Sequence, residues 1–592
     1  MWRNIRQQLF AHRKTLLIAN LIAVLSVIMS VPLPMLIPML VDEVLMNQPG
    51  RLVAAMQTIL PQQWSNATGY IIAIFLLVIL IRLISLGLEV IQSQLFTHVG
   101  KDISYHLRAR LIDHLAVTQL RDFDTLGSTA VGARCIVDVE TIDDFVSRAL
   151  SRFLINVLTV VGTFVILCFI SWELALLLFM LNPAMIMFAR SFGQRIRQLK
   201  SDENLAFEHF QQALTETLNA LQQIKSHRQE SQYFGRVKTL AAELKTKAVQ
   251  AQWKTEAIFQ LTNAVYLSGY ELFRIVAMFM VLFSGLSIGQ MFAVFAYLWF
   301  VMGPIQEMLS LQFSYNQADA ALHRLFELLK LKPEVNLKPS ASAAAVPEPT
   351  SASICFNNVN FAYETDQPVL KDINLDIAAG AKVAVVAMSG GGKSTLVNLL
   401  LGLYEKTSGV ITINGVSVDE IGYGFIREHV VTVQQHPIFF NSSIRHNLLG
   451  EHTNRSEADI WQALKLAELD NTIKNLPEQL DSAIGRDGVK LSGGQRQRLM
   501  IAKMLLNPAP IVILDEALSA LDSLTEHRIL SNIQPFLRGK TVVMISHRLN
   551  TLQHADVIYV LEDGEVKQAG NHQSLMKENG LYNTLYSVQF SA

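Results

Sequence analysis

Long apolar segments are the feature that most constrains how this chain folds. The first uncharged stretch runs from Thr15 to Val41, which is longer than the apolar core of about 7 to 15 residues in a signal peptide. A helix needs about 20 apolar residues to cross a bilayer, and further segments near this length follow. The sequence therefore predicts six membrane-spanning helices, and the five after the first lie near Gly69 to Ile91, Phe153 to Trp172, Leu174 to Ala189, Ala257 to Ser284 and Ile288 to Leu309.

Basic residues predict the orientation of these spans. Lys and Arg cluster before the first span and in the segments Gln92 to Arg152 and Arg190 to Lys254. Because basic loops remain in the cytosol, both chain termini are predicted to be cytosolic. The third and fourth spans are predicted to form a tight hairpin around Glu173. Three prolines are predicted to kink the first span: Pro32, Pro34 and Pro38.

Composition argues against a nucleic-acid partner, a cysteine metal site and a disulfide framework. The net charge is −1, so the chain has no overall basic footprint for nucleic acid. The three cysteines have neither metal-ligand spacing nor the pattern of a disulfide framework. The hydrophobic fraction of 51% agrees with an integral membrane protein.

The second half of the chain has a different organisation. Residues 332–353 are rich in Pro, Ala and Ser and are predicted to form a linker. This divides the chain into a transmembrane domain at 1–331 and a second domain at 354–592. From Ile354 onward, short β-branched runs alternate with helical segments, which predicts an α/β domain with a largely parallel sheet.

The run AMSGGGKST, from Ala387 to Thr395, has the pattern of a P-loop between a strand and a helix. Lys393 is predicted to reach the β and γ phosphates of ATP, Ser394 to hold Mg²⁺ and Thr395 to make a secondary contact. An alanine replaces the first glycine of the motif and is harmless if its φ is negative. The residues predicted to cradle the phosphates before the lysine are Ala387, Met388, Ser389, Gly390, Gly391 and Gly392.

A second glycine motif, LSGGQRQR from Leu491 to Arg498, precedes a strand that ends in Asp515 and Glu516. One nucleotide rarely needs two phosphate-binding elements from the same chain, so this pattern favours a pair of chains. Asp515 is predicted to bind Mg²⁺. Glu516 is predicted to act as the catalytic base that polarises the attacking water.

Together these motifs resemble the ATP-binding cassette family, specifically exporter-type half-transporters similar to bacterial lipid and multidrug exporters. The resemblance implies an all-α transmembrane domain followed by an α/β P-loop NTPase domain with an α-helical subdomain. Two such domains would pair head to tail around two ATP molecules. Five signature residues would then complete the ATP site of the partner chain: Leu491, Ser492, Gly493, Gly494 and Gln495.

The resemblance also implies four further roles. His547 matches the catalytic switch histidine that contacts the γ-phosphate, and Gln435 matches a glutamine that contacts Mg²⁺ and the membrane interface. Tyr363 matches the aromatic residue that stacks on adenine, and Asp522 lies in the loop that lines the dimer contact. The chain departs from the family at Leu518, where threonine is common. It also departs at residues 485–488, where GRDG reverses the charge order of a GERG-like run.

Segments between the spans resemble coupling elements. Leu107 to Asp143 is similar to the stretch where a helix of an exporter turns back through a short coupling helix, with Gly127 and Gly132 bracketing the turn. A second hairpin is predicted near Ala206 to Gln212. A solvated charged helix without a coupling role fits the same composition.

Charges inside the predicted spans cost at least about 2.5 kcal/mol each and are candidates for function. Glu271 and Arg274 are three residues apart and are predicted to pair on one helix face. Arg82 lies deep in the second span. It is a candidate cargo contact, with an internal salt bridge as the alternative.

The resulting hypothesis is an ATP- and Mg²⁺-dependent exporter of the bacterial inner membrane, formed by two copies of the chain. Its cargo is predicted to be a lipid, a drug-like amphiphile or a peptide, moved outward by alternating access. A heterodimer with a related half-transporter is one alternative, and an importer is another. A non-transporting ATP-gated channel or regulator is the alternative from a different functional class.

Overall fold

The structure is a computed structural model that describes residues 2–46, 50–283, 286–334, 351–364, 367–388, 390–435, 437–450, 455–485, 488–546 and 552–590. Ser389 and His547 lie outside the described residues, as do residues 486–487 of the GRDG run and most of the predicted linker. The chain forms two compact units. One comprises residues 1–110 and 133–327, and the other comprises residues 111–132 and 328–592.

The described residues up to 329 are predominantly helical. Its α-helices are α1 (Trp2–Ala11), α2 (Arg13–Ser30), α3 (Leu33–Leu40), α4 (Arg51–Ile59), α5 (Ala67–Leu115), α6 (Leu120–Leu126), α7 (Ser128–Ala133), α8 (Val139–Asp144), α9 (Ser151–Ile170), α10 (Trp172–Asn219), α11 (Leu221–Ser226), α12 (Glu230–Phe283) and α13 (Ile288–Leu329). Short π-helical segments occupy Val41–Leu45, Arg134–Asp138 and Phe145–Leu150, and a 3₁₀ turn occupies Gln62–Trp64.

Helices long and apolar enough to cross a membrane match the predicted spans. Five are found in the described part of the chain: Arg13–Leu45, Ala67–Leu115, Ala130–Ile170, Glu230–Phe283 and Ile288–Leu329. Helix α10 covers the remaining predicted span. Large apolar side chains such as Leu76, Leu80 and Leu83 on α5 are exposed, which suits a surface that faces lipid.

The first span is interrupted beside Pro32, one of the three prolines predicted to kink it. Helix α2 ends at Ser30 and α3 begins at Leu33, on either side of Pro32. A proline ring cannot donate a backbone hydrogen bond and distorts the preceding turn. At this break the hydroxyl of Tyr297 donates to the carbonyl of Val31 at 2.9 Å, so a buried acceptor is satisfied.

Three predicted turns need correction. The hairpin between α9 and α10 turns at Ser171, whose hydroxyl caps α10, and not at Glu173. The hairpin predicted near Ala206 to Gln212 is wrong, because this stretch contains no Gly or Pro to end a helix and α10 continues through it to Asn219. Gly127 ends α6 with a φ of +76° as predicted, whereas Gly132 lies inside α7.

The second unit contains the α/β domain. Its strands are β1 (Ile354–Ala362), β2 (Pro368–Ile377), β3 (Lys382–Ala387), β4 (Ser408–Ile413), β5 (Val416–Ser417), β6 (Val430–Val433), β7 (Ser442–Ser443), β8 (Ala483–Ile484), β9 (Ile511–Asp515), β10 (Thr541–Ile545), β11 (Val557–Glu562) and β12 (Glu565–Gly570). Its α-helices are α14 (Lys393–Leu400), α15 (Val418–Ile421), α16 (Tyr423–His429), α17 (Ile444–Leu449), α18 (Glu457–Leu466), α19 (Asp470–Lys474), α20 (Gly493–Leu505), α21 (Ser523–Leu537), α22 (His572–Lys577) and α23 (Leu581–Phe590), with a 3₁₀ turn at Gln479–Asp481.

Six of the described strands form the central sheet in the order β12-β11-β3-β10-β9-β6, parallel except for the β11–β12 pair. Alternate residues of β3, β9 and β10 belong to two separate hydrophobic clusters, so both faces of the sheet are buried. One face packs against the helical layer that includes α18 and α20, and the other packs against α14 and the antiparallel strands β1, β2 and β4. Ligands bind at the carboxyl ends of such parallel strands. In this sheet β3 and β9 lie on either side of β10, so the residues that follow these three strands lie at one edge.

Candidate active site

The phosphate loop connects β3 to α14. Gly390 and Gly392 have φ values of +82° and +88°, a conformation that residues with side chains rarely adopt. A Cβ atom at Gly392 would also lie 2.6 Å from Cδ2 of Leu370. The glycines are therefore required by the turn, which brings the N-terminal N–H groups of α14 to the edge of the sheet where an anion can bind.

Ala387 takes the place of the first glycine of the motif without strain. It is the last residue of β3, it is buried, and its φ is negative. A Cβ atom built on Gly391 would lie 2.7 Å from Cβ of Ala387. The alanine methyl therefore fits because Gly391 has no side chain. The φ of Ala387 is negative, which is the condition under which an alanine is harmless at this position.

The side chain of Lys393, the first residue of α14, reaches back into the loop. Its Nζ donates to the carbonyl oxygens of Ala387 at 2.9 Å and Met388 at 3.1 Å. Burial lowers the pKa of its ammonium group, and the nearby carboxylates of Glu516 and Asp515 oppose that shift. The P-loop lysine thus shares one electrostatic environment with both acidic residues at the end of β9.

The acidic pair Asp515 and Glu516 ends β9. Glu516 has a φ of +48°, and its amide donates to the carbonyl of Ile545 at 2.9 Å. The Nε2 atom of Gln435 lies 2.5 Å from the Glu516 carboxylate oxygen Oε2. The structure therefore brings Gln435 and Ile545, which are distant in the sequence, next to Glu516. It also holds the candidate base in an uncommon backbone conformation.

Oxygen donors near this edge fit a magnesium ion. Mg²⁺ prefers oxygen ligands, keeps several waters and is held mainly through phosphates and one or two carboxylates. Ser394 follows Lys393 in the first turn of α14, Asp515 ends β9, and the amide of Gln435 lies beside Glu516. These residues would hold the ion, which would neutralise charge on the phosphates.

Tyr363 lies near the P-loop helix. Its hydroxyl is 3.1 Å from Oγ1 of Thr395, and its ring packs edge-on against Phe361 and Tyr404, with centroids 4.8 and 5.1 Å away. The side chain is 37% exposed. An exposed aromatic surface beside the phosphate loop suits the predicted contact with adenine, which stays a prediction.

The signature motif forms the start of α20. Ser492 caps the helix by accepting from the amide of Gln495 at 3.2 Å, and the Gln495 side chain accepts from the amide of Ser492 at 2.8 Å. A Cβ atom at Gly494 would lie 3.1 Å from the carbonyl oxygen of Ala520. Leu491 is buried. The motif is thus an exposed helix N-terminus that packs against the loop of residues 519–522 of its own chain, named here the SALD loop after its sequence.

Asp522 has a clear local role. Its carboxylate accepts from the amide of Thr525 at 3.0 Å and caps α21. The hydrogen bonds to Thr525 lower the pKa of Asp522. Its predicted place at a dimer contact stays a prediction.

Several residues beside the site escaped the sequence reasoning. Residues 116–126, named here the coupling segment, contact the α/β domain within the second unit. Arg121 donates to the carbonyl of Tyr363 at 2.6 Å, and the Tyr404 hydroxyl donates to Asp124 at 2.5 Å. The sequence signalled a turn here through Gly127, but it gave no indication of these partners.

The structure places the charged residues of the predicted spans as follows. Arg274 donates to Glu271 at 3.1 Å, as predicted. Arg82 is exposed on α5, and no salt bridge joins it to another described residue.

A polar cavity of about 480 Å³ lies at the N-terminal end of the predicted third span. Glu307 joins two of its lining residues, because it accepts from Arg152 at 2.7 Å and from Asn156 at 2.9 Å. The remaining walls include apolar residues such as Phe153 and Leu311. The cavity therefore combines charged groups with an apolar surface.

A P-loop domain with a second phosphate-binding motif, joined in one chain to a bundle of membrane-length helices, defines an ATP-driven membrane transporter. Comparison with known proteins supports this class. The ABC transporter profile matches residues 370–519, and the ABC transporter transmembrane region profile matches residues 16–305.

The chain is similar to several bacterial proteins along most of its length. It is 31% identical to an uncharacterised ABC transporter ATP-binding protein of Bacillus subtilis (90% of this chain and 92% of that protein). It is also 31% identical to an ATP-dependent lipid A-core flippase of Syntrophus aciditrophicus (87% and 85%) and to a putative multidrug export ATP-binding/permease protein of Staphylococcus aureus (88% and 89%).

A solved structure of a bacterial Atm1-family ABC exporter with ATP bound matches with a TM-score of 0.79 at 26% identity, covering 98% of each chain. The chain belongs to the ABC transporter family. It is an integral membrane exporter half-transporter in which a helical membrane domain is fused to an ABC ATPase domain.

Proposed function

We propose that two copies of this chain form an exporter that moves an amphiphile from the cytosolic side of a bacterial inner membrane outward. ATP and Mg²⁺ would close the two ATPase domains, and hydrolysis would reset them. Glu516 would be the general base, and His547 would contact the γ-phosphate. Both termini would lie in the cytosol with the ATPase domain.

The observation that carries a homodimer is that one chain supplies both halves of an ATP site. Gln435 and Glu516 are in hydrogen-bond contact at 2.5 Å beside the P-loop lysine. The same chain also presents a capped, exposed signature helix at Ser492. Two identical chains paired head to tail would therefore form two equivalent sites, and neither half would need a specialised partner.

The coupling segment supports transport as the outcome of hydrolysis. Its helix α6 is held to the α/β domain by Arg121 and Asp124, and one of those contacts is to the backbone of Tyr363, the candidate adenine residue. A change at the nucleotide would thus move a segment that is continuous in sequence with the second and third spans. Transport requires only that nucleotide and cargo favour different conformations.

The polar cavity supports an amphiphilic cargo. Arg152, Asn156 and Glu307 would meet a polar headgroup, and the apolar walls and spans would accept a hydrophobic tail. Arg82 is proposed as a further contact for cargo within the second span. The similarity to a lipid A-core flippase and to multidrug export proteins agrees with cargo of this class.

The test is ATP hydrolysis in lipid nanodiscs, measured against a panel of lipids, cationic drugs and peptides, with Glu516→Gln as the inactive control. We expect amphiphiles to stimulate hydrolysis and soluble peptides to leave it unchanged. Accumulation of a stimulating compound in sealed inverted vesicles would support export, whereas passive ion flux would instead indicate a channel. A particle of dimer mass by light scattering that contains only this polypeptide would support the homodimer.

A further inference from the structure

Gln497 has a buried amide side chain beside the nucleotide site. It lies on α20, the signature helix, and is only 3% exposed. Burial of an amide is unfavourable unless its polar atoms are hydrogen-bonded. The position of those hydrogen bonds therefore indicates what the residue does.

The amide group reaches three loops of the nucleotide site. Its Nε2 atom lies 3.1 Å from Oγ of Ser519, 3.3 Å from the carbonyl oxygen of Glu516 and 3.4 Å from the carbonyl oxygen of Gln435. Its Oε1 atom accepts from the amide of Ala520 at 2.9 Å. One side chain thus joins the signature helix to the end of β9, to the Gln435 loop and to the SALD loop.

We infer that Gln497 is a positioning residue that holds the main chain of Glu516 in its catalytic geometry and links that geometry to the signature helix of the same chain. This inference rests on the proposed catalytic role of Glu516. Its basis is geometric: Gln435 binds the carboxylate of Glu516, and Gln497 binds the carbonyl groups of both residues. The pair is therefore fixed at the side chains and at the backbone.

The backbone of Glu516 has a particular need for such support. A non-glycine residue at a φ of +48° is in a sparsely populated conformation that persists only when its surroundings hold it. Gln497 supplies one of those restraints from a helix whose first residues face the partner's ATP in the proposed dimer. Docking of the signature motif on one nucleotide is thereby linked to the base that acts on the other nucleotide.

Two substitutions test the inference in the full-length protein in nanodiscs. Gln497→Met keeps the length of the side chain and removes its hydrogen bonds, and Gln497→Glu keeps its shape and removes the Nε2 donor. We expect each to lower kcat for ATP hydrolysis about tenfold or more, because a lost hydrogen bond in the transition state corresponds to about a factor of ten. The KM for ATP should stay within about twofold, because the P-loop is untouched.

Leu499→Ala is the matched control, since Leu499 is buried on the same helix and its truncation loosens the core. This control should lower Tm and leave kcat within about threefold of the parent. A double substitution of Gln497→Met with Gln435→Ala should lower kcat less than the product of the single effects, because both residues act through Glu516.

Three outcomes would overturn the inference. Both Gln497 variants could keep kcat within about threefold of the parent, or they could raise KM without lowering kcat. The third outcome is that Leu499→Ala lowers kcat as much as they do at an equal loss of Tm. The Glu516→Gln variant separates the two proposals. If it hydrolyses ATP normally, the proposed catalytic base is wrong. If it is inactive while the Gln497 variants keep normal kcat, only the positioning role is wrong.

Discussion

Replacing Tyr404 with phenylalanine removes one contact between the coupling segment and the ATPase domain and leaves the packing intact. The Tyr404 hydroxyl donates to Asp124 at 2.5 Å. Burial raises the pKa of Tyr404, and the hydrogen bond and negative charge of Asp124 raise it further, so the hydroxyl stays protonated as a donor. Phenylalanine would keep the ring contacts with Tyr363 and Phe361 at 5.1 and 5.9 Å.

The expected effect follows from the exposure of this pair. A hydrogen bond to a charged group contributes about 1.5–3 kcal/mol, but Asp124 is exposed, and solvent reduces the contribution to about 1 kcal/mol. At room temperature this corresponds to about a fivefold change in the opening equilibrium of α6. Hydrogen exchange of the α6 amides, measured by mass spectrometry, should therefore be about fivefold faster in Tyr404→Phe.

Tyr423→Phe is the matched control. The Tyr423 hydroxyl donates to Asp419 at 3.4 Å, which is a longer tyrosine–aspartate contact whose acceptor lies outside the coupling segment. It should leave exchange in α6 unchanged. The reasoning is refuted if Tyr404→Phe leaves α6 exchange at the parent rate, or if both variants accelerate it equally. In Tyr404→Phe, basal ATP hydrolysis should persist while stimulation by an amphiphile weakens.

Four further predictions concern the nucleotide site. Lys393→Ala should abolish ATP hydrolysis. Ala387→Gly should leave turnover within about twofold and destabilise the domain by about 0.4–1 kcal/mol, measured by denaturant unfolding. A large gain in turnover would contradict the inference that Ala387 fits the loop without strain. Glu516→Gln should lower turnover by about 10²–10⁴ and retain ATP binding, measured by nucleotide retention on the purified protein. In mixed dimers, Ser492→Ala in one chain should weaken the binding of ATP at the P-loop of the unmodified chain. Cross-linking of a photoreactive ATP analogue measures this binding. Loss of labelling only from the altered chain would contradict the head-to-tail arrangement.

The local elements of the nucleotide site could be predicted because each depends on adjacent residues. The glycines before Lys393 permit a turn with positive φ, and β-branched runs on both sides of the motifs favour buried strands. The same reasoning failed for the hairpin near Ala206 to Gln212. That stretch has no Gly or Pro to end a helix, so α10 continues to Asn219.

Gln497 and Tyr404 show what sequence reasoning could not reach. Gln497 stands inside the motif LSGGQRQR, yet only the direction of its side chain reveals that it points to Glu516 and not to the partner's nucleotide. Tyr404 has no motif around it, and its partner Asp124 is distant in the chain. Contacts of this kind depend on how elements pack, and a single sequence does not encode that packing in any local pattern.

The sequence by itself determined the class of the protein, because apolar length sets membrane spans and glycine spacing sets a phosphate loop. Tertiary structure alone decided how these parts act together. The parallel register of β3, β10 and β9 brings Lys393 and Glu516 to one edge, and the packing of α20 brings the side chain of Gln497 to the main chain of Glu516. The physical reason is that periodicity and turn chemistry act over a few residues, whereas hydrogen bonds across a sheet edge join residues that only the folded core brings within 3 Å or so of one another.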